Sequence, residues 1–152
     1  MANSQANPLI RRGDWVVVCD GAKALVLQNI GTTEGLKLQT RSVFAQADPK
    51  TSDIGTDAPG RAFSSVGSTR SAVAQTDWHD QSERRFLTDL ASRLDAAAAR
   101  GDVPGLIVVA PPRALGVLRE SYSEPLRRTL RGEIERDYVN LPVEQIERHL
   151  AA

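Results

Sequence analysis

Hydrophobic and polar positions change their period along this chain, and each change marks an element. Past a polar leader, residues 1–12, expected to be flexible, Trp15-Val16-Val17-Val18-Cys19-Asp20 is a β-branched run bounded by Gly13 and Gly21. Its length and composition predict a strand buried on both faces. Ala22 to Ile30 and Leu36 to Phe44 alternate more and read as two further strands, with turns at Asp20-Gly21 and at Gly31-Thr32-Thr33-Glu34-Gly35. Such short connections favour antiparallel neighbours, so the first third reads as a three-stranded meander.

From about Asp77 the period becomes helical. Phe86, Leu87, Leu90, Ala91, Leu94 and Ala98 fall on one stripe, with Glu83, Arg84, Arg85, Asp89, Arg93 and Asp95 elsewhere. Thr76 or Asp77 is a candidate cap for its start and Gly101 for its end. Leu106 to Ala110 then reads as a buried strand stopped by Pro111-Pro112, and Arg113 to Tyr122 as a second helix. Leu130 to Tyr138 alternates as a solvent-edge strand does, although a helix can claim it too. Val143, Ile146 and Leu150 after Leu141-Pro142 make a last helix. Helix, strand and helix in succession imply a crossover that packs helices on the sheet faces. The expected fold is therefore α/β: a mixed five-stranded sheet, built as an antiparallel meander followed by helix-strand-helix-strand-helix, in a single domain over residues 13–152.

Between the patterned halves lies a long stretch, residues 46–76, with little apolar periodicity, and loops of that length in compact domains are usually functional or disordered. Arg61, Phe63, Arg70 and several glycines, with Trp78 just beyond, make function the better reading, since disordered linkers hold few aromatics.

Composition narrows the picture. A chain of 152 residues, 41% hydrophobic and 25% charged, is an ordinary globular domain with a sizeable core. Its formal net charge of zero gives no global field toward nucleic acid or anionic membrane, though local arginine patches are open to it. The N-terminal residues do not read as a secretory signal and no run suits a membrane span, so no membrane insertion and a cytoplasmic location are expected. Cys19 is either a small buried hydrophobe or a reactive thiol; without a nearby His or Cys partner, the former is the weightier reading.

His79 and His149 are the two histidines, and neither has metal-ligand spacing, so neither a metal nor a cofactor is expected. Ser64, Ser65, Ser71 and Ser82 have no nucleophile-elbow pattern around them. Gly67-Ser68-Thr69-Arg70-Ser71 suits an anion-binding turn, since successive N–H groups plus an arginine fork match phosphate. It lacks a Walker lysine, and ordinary turn chemistry explains it equally well. Trp78 can stack a base, present a hot spot to a partner or staple a helix start. Arg84 and Arg85 are either a contact surface or a solvated helix face. Arg127, Arg128 and Arg131 are interleaved with Glu124, Glu133 and Glu135 and make no clean basic stripe.

Several blocks in combination resemble the bacterial host-attachment protein family: Trp15-Val16-Val17-Val18 with Asp20-Gly21-Ala22-Lys23-Ala24, Gly55-Thr56-Asp57-x-Pro59-Gly60-Arg61-x-Phe63-x-Ser65-Val66-Gly67, Arg70-Ser71-Ala72-Val73, Thr76-Asp77-Trp78-His79, Val109-Ala110-Pro111-Pro112-Arg113-x-Leu115-Gly116 and Leu141-Pro142. The likeness spans almost the whole chain after the leader. That family is grouped with bacterial relatives of the archaeo-eukaryotic peptide release factors and resembles their middle domain, a mixed sheet with helices. The resemblance implies a ribosome or tRNA partner, or an indirect part in bacterial attachment to host cells.

The release-factor loop ends in Gly-Gly-Gln at the start of a helix, where the glycines admit the peptidyl-tRNA ester and the Gln helps place water. Here His79-Asp80-Gln81 resembles that place with both glycines replaced. Two Cβ atoms and a carboxylate then stand where close approach is needed, and the acid repels an RNA backbone. The resemblance thus implies a non-catalytic module that binds through Arg61, Arg70, Ser71, Trp78, Arg84 and Arg85. Its enzymatic alternative is ester hydrolysis, with Gln81 placing water and His79 exchanging protons.

Overall fold

The turn that starts the sheet is written in one side chain: the Asp20 carboxylate accepts from the backbone N–H groups of Ala22 and Lys23, both at 2.9 Å. A computed structural model describes residues 7–46 and 68–151, with side chains from Asp80 onward in the helix that begins at Ser68. The predicted loop between the two halves therefore lies, over residues 47–67 and including Arg61, outside the described residues.

Strands β1 (Trp15–Cys19), β2 (Lys23–Asn29) and β3 (Leu38–Ala45) form the expected antiparallel meander. Helix α1 (Ser68–Ala99) leads to β4 (Leu106–Ala110), which pairs parallel to β1. Then come α2 (Pro112–Ser121), a short α3 (Glu124–Thr129), β5 (Leu130–Glu135) parallel to β4, and α4 (Val143–Ala151). The five-stranded mixed sheet has the order β3-β2-β1-β4-β5, in agreement with the expected fold class. β5 is the edge strand that the alternation predicted.

Successive side chains of a strand point to opposite faces, and here both faces of β1 and β4 are covered. Trp15, Val17, Leu106 and Val108 pack with Leu87, Leu90 and Leu94 of α1, Leu115 and Leu118 of α2 and Leu126 of α3. Val16, Val18, Ile107 and Val109 pack on the other side with Ile146 and Leu150 of α4. The residues that alternate against them in sequence are equally apolar because no face of these two strands meets water. The structure refines the predicted stripe of α1: Ala97 is buried, whereas Phe86 and Ala98 are only partly so.

Helix α1 ends as expected. Gly101, at φ +81°, donates to the Ala98 carbonyl at 3.0 Å while the Asp102 N–H reaches Ala97 at 3.0 Å, a left-handed C-terminal cap that favours glycine. Its start corrects the sequence reading, which put the helix at Asp77. Ser68 to Arg100 contains no Gly or Pro, and Arg70, Ala72, Ala74 and Gln75 are good helix formers, so propensity carries the helix back where no apolar stripe exists to reveal it. The last residues of the predicted 46–76 loop are consequently helical.

Part of the leader, Asn7–Arg12, packs against the rest of the fold. Ile10 is buried, its carbonyl accepts from the fully buried Asn29 amide at 3.3 Å, and the Asn7 amide donates to the His149 carbonyl of α4 at 2.9 Å.

Candidate functional site

In an open α/β sheet, ligands bind beyond the carboxyl ends of parallel strands where neighbouring strands continue in opposite directions. That point lies here between β1 and β4: after Cys19 the chain turns to β2 on one side, and after Ala110 it passes through α2 to β5 on the other. A cleft of about 310 Å³ opens there. Asp20, Gly21 and Ala22 line it from the end of β1, and Pro111, Arg113 and Ala114 from the end of β4. The third wall is α1, through Asp80, Glu83, Arg84 and Leu87. Those four positions recur at helical spacing and so share one face.

Two walls are pressed together at Gly21. A Cβ on this residue would stand 2.7 Å from Cγ of Glu83 and 3.0 Å from its Cβ, so the close approach of turn and helix requires glycine. Across the cleft, Arg113 is bound to the Asp80 carboxylate and lies 3.8 Å from that of Glu83, while Arg84 pairs with Glu120 at 3.2 Å. These pairs are exposed and contribute at most about 1 kcal/mol each. They leave the cleft nearly self-neutral, with carboxylates and guanidinia that a charged ligand can displace. Among the described residues, the lining holds no hydroxyl, thiol or imidazole.

Of the sequence-predicted site residues, Arg84 lines this cleft and Gln81 and Arg85 are exposed on the same helix. Arg70, Ser71, Trp78 and His79 fall on the backbone of α1, and their side chains, like all of Arg61, lie outside the described residues. Cys19 is fully buried in the core, and burial, with Asp20 beside it, pushes its thiol up from 9.0 to about 12. It is a packing residue. Among the described residues, no group of three or more His, Cys, Asp or Glu side chains could hold a metal ion.

Asp20, Gly21, Glu83 and Arg113 were not singled out for chemistry in the sequence. For all but Glu83 the signal was nonetheless present: Asp20-Gly21-Ala22 and Pro111-Pro112-Arg113 belong to two of the blocks that carry the family likeness, and the fold sets those blocks side by side at one cleft. Residues 14–150 match the family model for bacterial archaeo-eukaryotic release factor family 12. The chain belongs to this family. No curated protein matches it.

Within a family 12 protein the place of Gln81 acquires meaning. The release-factor Gln stands at the start of a helix, whereas Gln81 lies thirteen residues past Ser68, well inside α1 and exposed. This corrects the sequence-based placement of Gln81 at a helix start. Mid-helix backbone N–H groups are committed to intrahelical bonds, so the backbone of His79-Asp80-Gln81 belongs to the helix and not to a loop.

Proposed function

We propose that this family 12 protein is a non-catalytic, release-factor-like module of the cytoplasm that binds the ribosome or tRNA. The match over residues 14–150 carries this reading, because it covers nearly the whole fold rather than one motif. Arg84 and Arg85, exposed on α1 beside the switch-point cleft, are the contact residues, together with Arg61, Arg70, Ser71 and Trp78. The mid-helix position of Gln81 supports a binding role over ester hydrolysis.

Co-sedimentation with ribosomes at moderate salt tests the proposal. Wild type is expected in the ribosomal fractions, with the Arg84→Ala/Arg85→Ala and Arg61→Ala/Arg70→Ala variants depleted from them. Absence of the wild-type protein from those fractions would sink the reading. An indirect part in attachment to host cells is favoured by the juxtaposition, at one cleft, of two blocks that resemble host-attachment proteins. Fractionation of intact cells decides there: surface exposure would replace the cytoplasmic assignment.

A further inference from the structure

Arginines that are interleaved with glutamates in sequence are sorted by the fold. Arg119 from the last turn of α2, Arg127 from the last turn of α3 and Arg131 from β5 line an open groove of about 580 Å³. Among the described residues, Glu133 is the one carboxylate in its lining. Glu120 is turned to Arg84 at 3.2 Å and Glu124 to Arg128 at 4.0 Å, and neither lines the groove. The alternating charges that showed no basic stripe along the chain therefore gather in space, three arginines against Glu133 and the neighbouring Asp14, with a net positive excess of one.

We propose that this groove binds the phosphate backbone of RNA, with Arg119, Arg127 and Arg131 as the phosphate contacts. The assignment deepens the translation-related reading and rests on it for the choice of RNA. Each guanidinium is held by part of its donor set. Arg119 gives Nε and Nη2 to Glu133 Oε1 at 2.8 and 2.6 Å, and Arg127 gives Nη2 to the Arg119 carbonyl at 3.3 Å. Arg131 gives Nη2 to the Pro104 carbonyl at 3.5 Å and lies 3.6 Å from Asp14. In all three, Nη1 makes no hydrogen bond among the described residues. An arginine fixed on one side with donors spare on the other is preorganised for a phosphate oxygen.

The groove also contains Tyr122, 8% exposed, whose buried hydroxyl has no hydrogen-bond partner among the described residues. Burial, reinforced by Glu133, raises its pKa well above the usual range, so the phenol stays a neutral donor. A small phosphorylated ligand is usually enclosed over most of its surface. This shallow trough, with its cations on three separate elements, suits a polymer that lies across it.

Fluorescence anisotropy with a labelled single-stranded RNA of mixed sequence tests the groove. Arg127, exposed and outside the core, is the decisive substitution. Arg127→Gln is expected to weaken binding about tenfold, the loss of one charged hydrogen-bonded contact, and to flatten the slope of log affinity against log salt by about 0.7. Arg100→Gln, which removes an exposed cation held by Asp102 at 3.0 Å, is expected to leave both unchanged. Equal effects of the two substitutions overturn the proposal. So does displacement of RNA by polyglutamate at matched charge, which marks an acidic protein as the partner, or by millimolar inorganic phosphate, which marks a small anion. A wild-type protein that co-sediments with ribosomes yet fails to bind RNA refutes the groove and leaves the translation reading intact. Arg127-dependent RNA binding without co-sedimentation does the reverse.

Discussion

Burial of Cys19 makes alkaline stability a test of the core. Its side chain is fully buried in β1, and its thiol is raised from 9.0 to about 12, first by desolvation and then by Asp20. The raised folded-state value means that the native protein keeps the proton while the unfolded chain begins to release it near pH 9. Above that pH the unfolded state binds fewer protons, so stability falls as pH rises. The contribution is fully present below pH 9 and is lost between about pH 9 and 12. Linkage gives a loss of about 2 kcal/mol by pH 10.5, with a limiting slope near 1.4 kcal/mol per pH unit. Cys19→Ala removes the titration and leaves a small cavity, for which about 1 kcal/mol at neutral pH is a fair scale. Urea denaturation of both proteins from pH 7 to pH 10.5 is the assay. Subtraction of the two cancels the common titration of tyrosines and lysines. The variant should start less stable, close the gap above pH 9 and overtake wild type before pH 10.5. A difference that stays constant with pH would refute the reasoning.

Gly21→Ala should destabilise by about 1 kcal/mol through overpacking, because the new Cβ meets Glu83 Cγ at 2.7 Å; thermal melts should show the loss reduced in a Glu83→Ala background, which removes Cγ and keeps the Cβ at 3.0 Å. Arg131→Met should cost about 3 kcal/mol by stranding the Asp14 carboxylate, which is 1% exposed with Arg131 Nη2 3.6 Å from its Oδ1. Chemical denaturation should find most of that restored in Asp14→Asn/Arg131→Met, and no recovery would mean that packing rather than charge holds Arg131 in place. Gln81→Ala and His79→Ala should match wild type and buffer in release of peptide from a model peptidyl-tRNA; a rate above buffer that falls in Gln81→Ala would establish catalysis.

The elements most legible in the sequence were those fixed by local chemistry. The β1–β2 turn was visible because Asp20 satisfies the N–H groups two and three residues on, and the end of α1 because Gly101 takes the left-handed conformation. The start of α1 was hidden, since Ser68 to His79 has helix-forming residues without an apolar stripe, and a period-based reading sees only the stripe. Helix α3 was hidden for another reason: with six residues it is too short to show a period, and its sequence marks are Ser123, which caps Leu126 at 3.3 Å, and Pro125 in the first turn. The cleft was legible in its parts and not as a site. Nothing local says that Asp20 will face Pro111, because that neighbourhood is created by the parallel pairing of β1 with β4.

That pairing also separates the two surfaces. The cleft lies at the carboxyl ends of β1 and β4, whereas Arg131 stands where β5 begins, beside Leu106 at the start of β4. Helix α2 connects them, with Arg113 in its first turn at the cleft and Arg119 in its last turn at the groove. Arg113 and Arg119 are six residues apart on this helix, a rise of about 9 Å, close to the Debye length at physiological salt, so the two sets of exposed charges are only partly screened from each other. A polymer that lies across the groove need not occupy the cleft, and the exchangeable ion pairs around Arg113 remain available for a second contact on the same partner. On the proposed RNA-binding reading, two charged surfaces on one scaffold would hold a single large partner at two points, where each weak contact raises the effective concentration of the other.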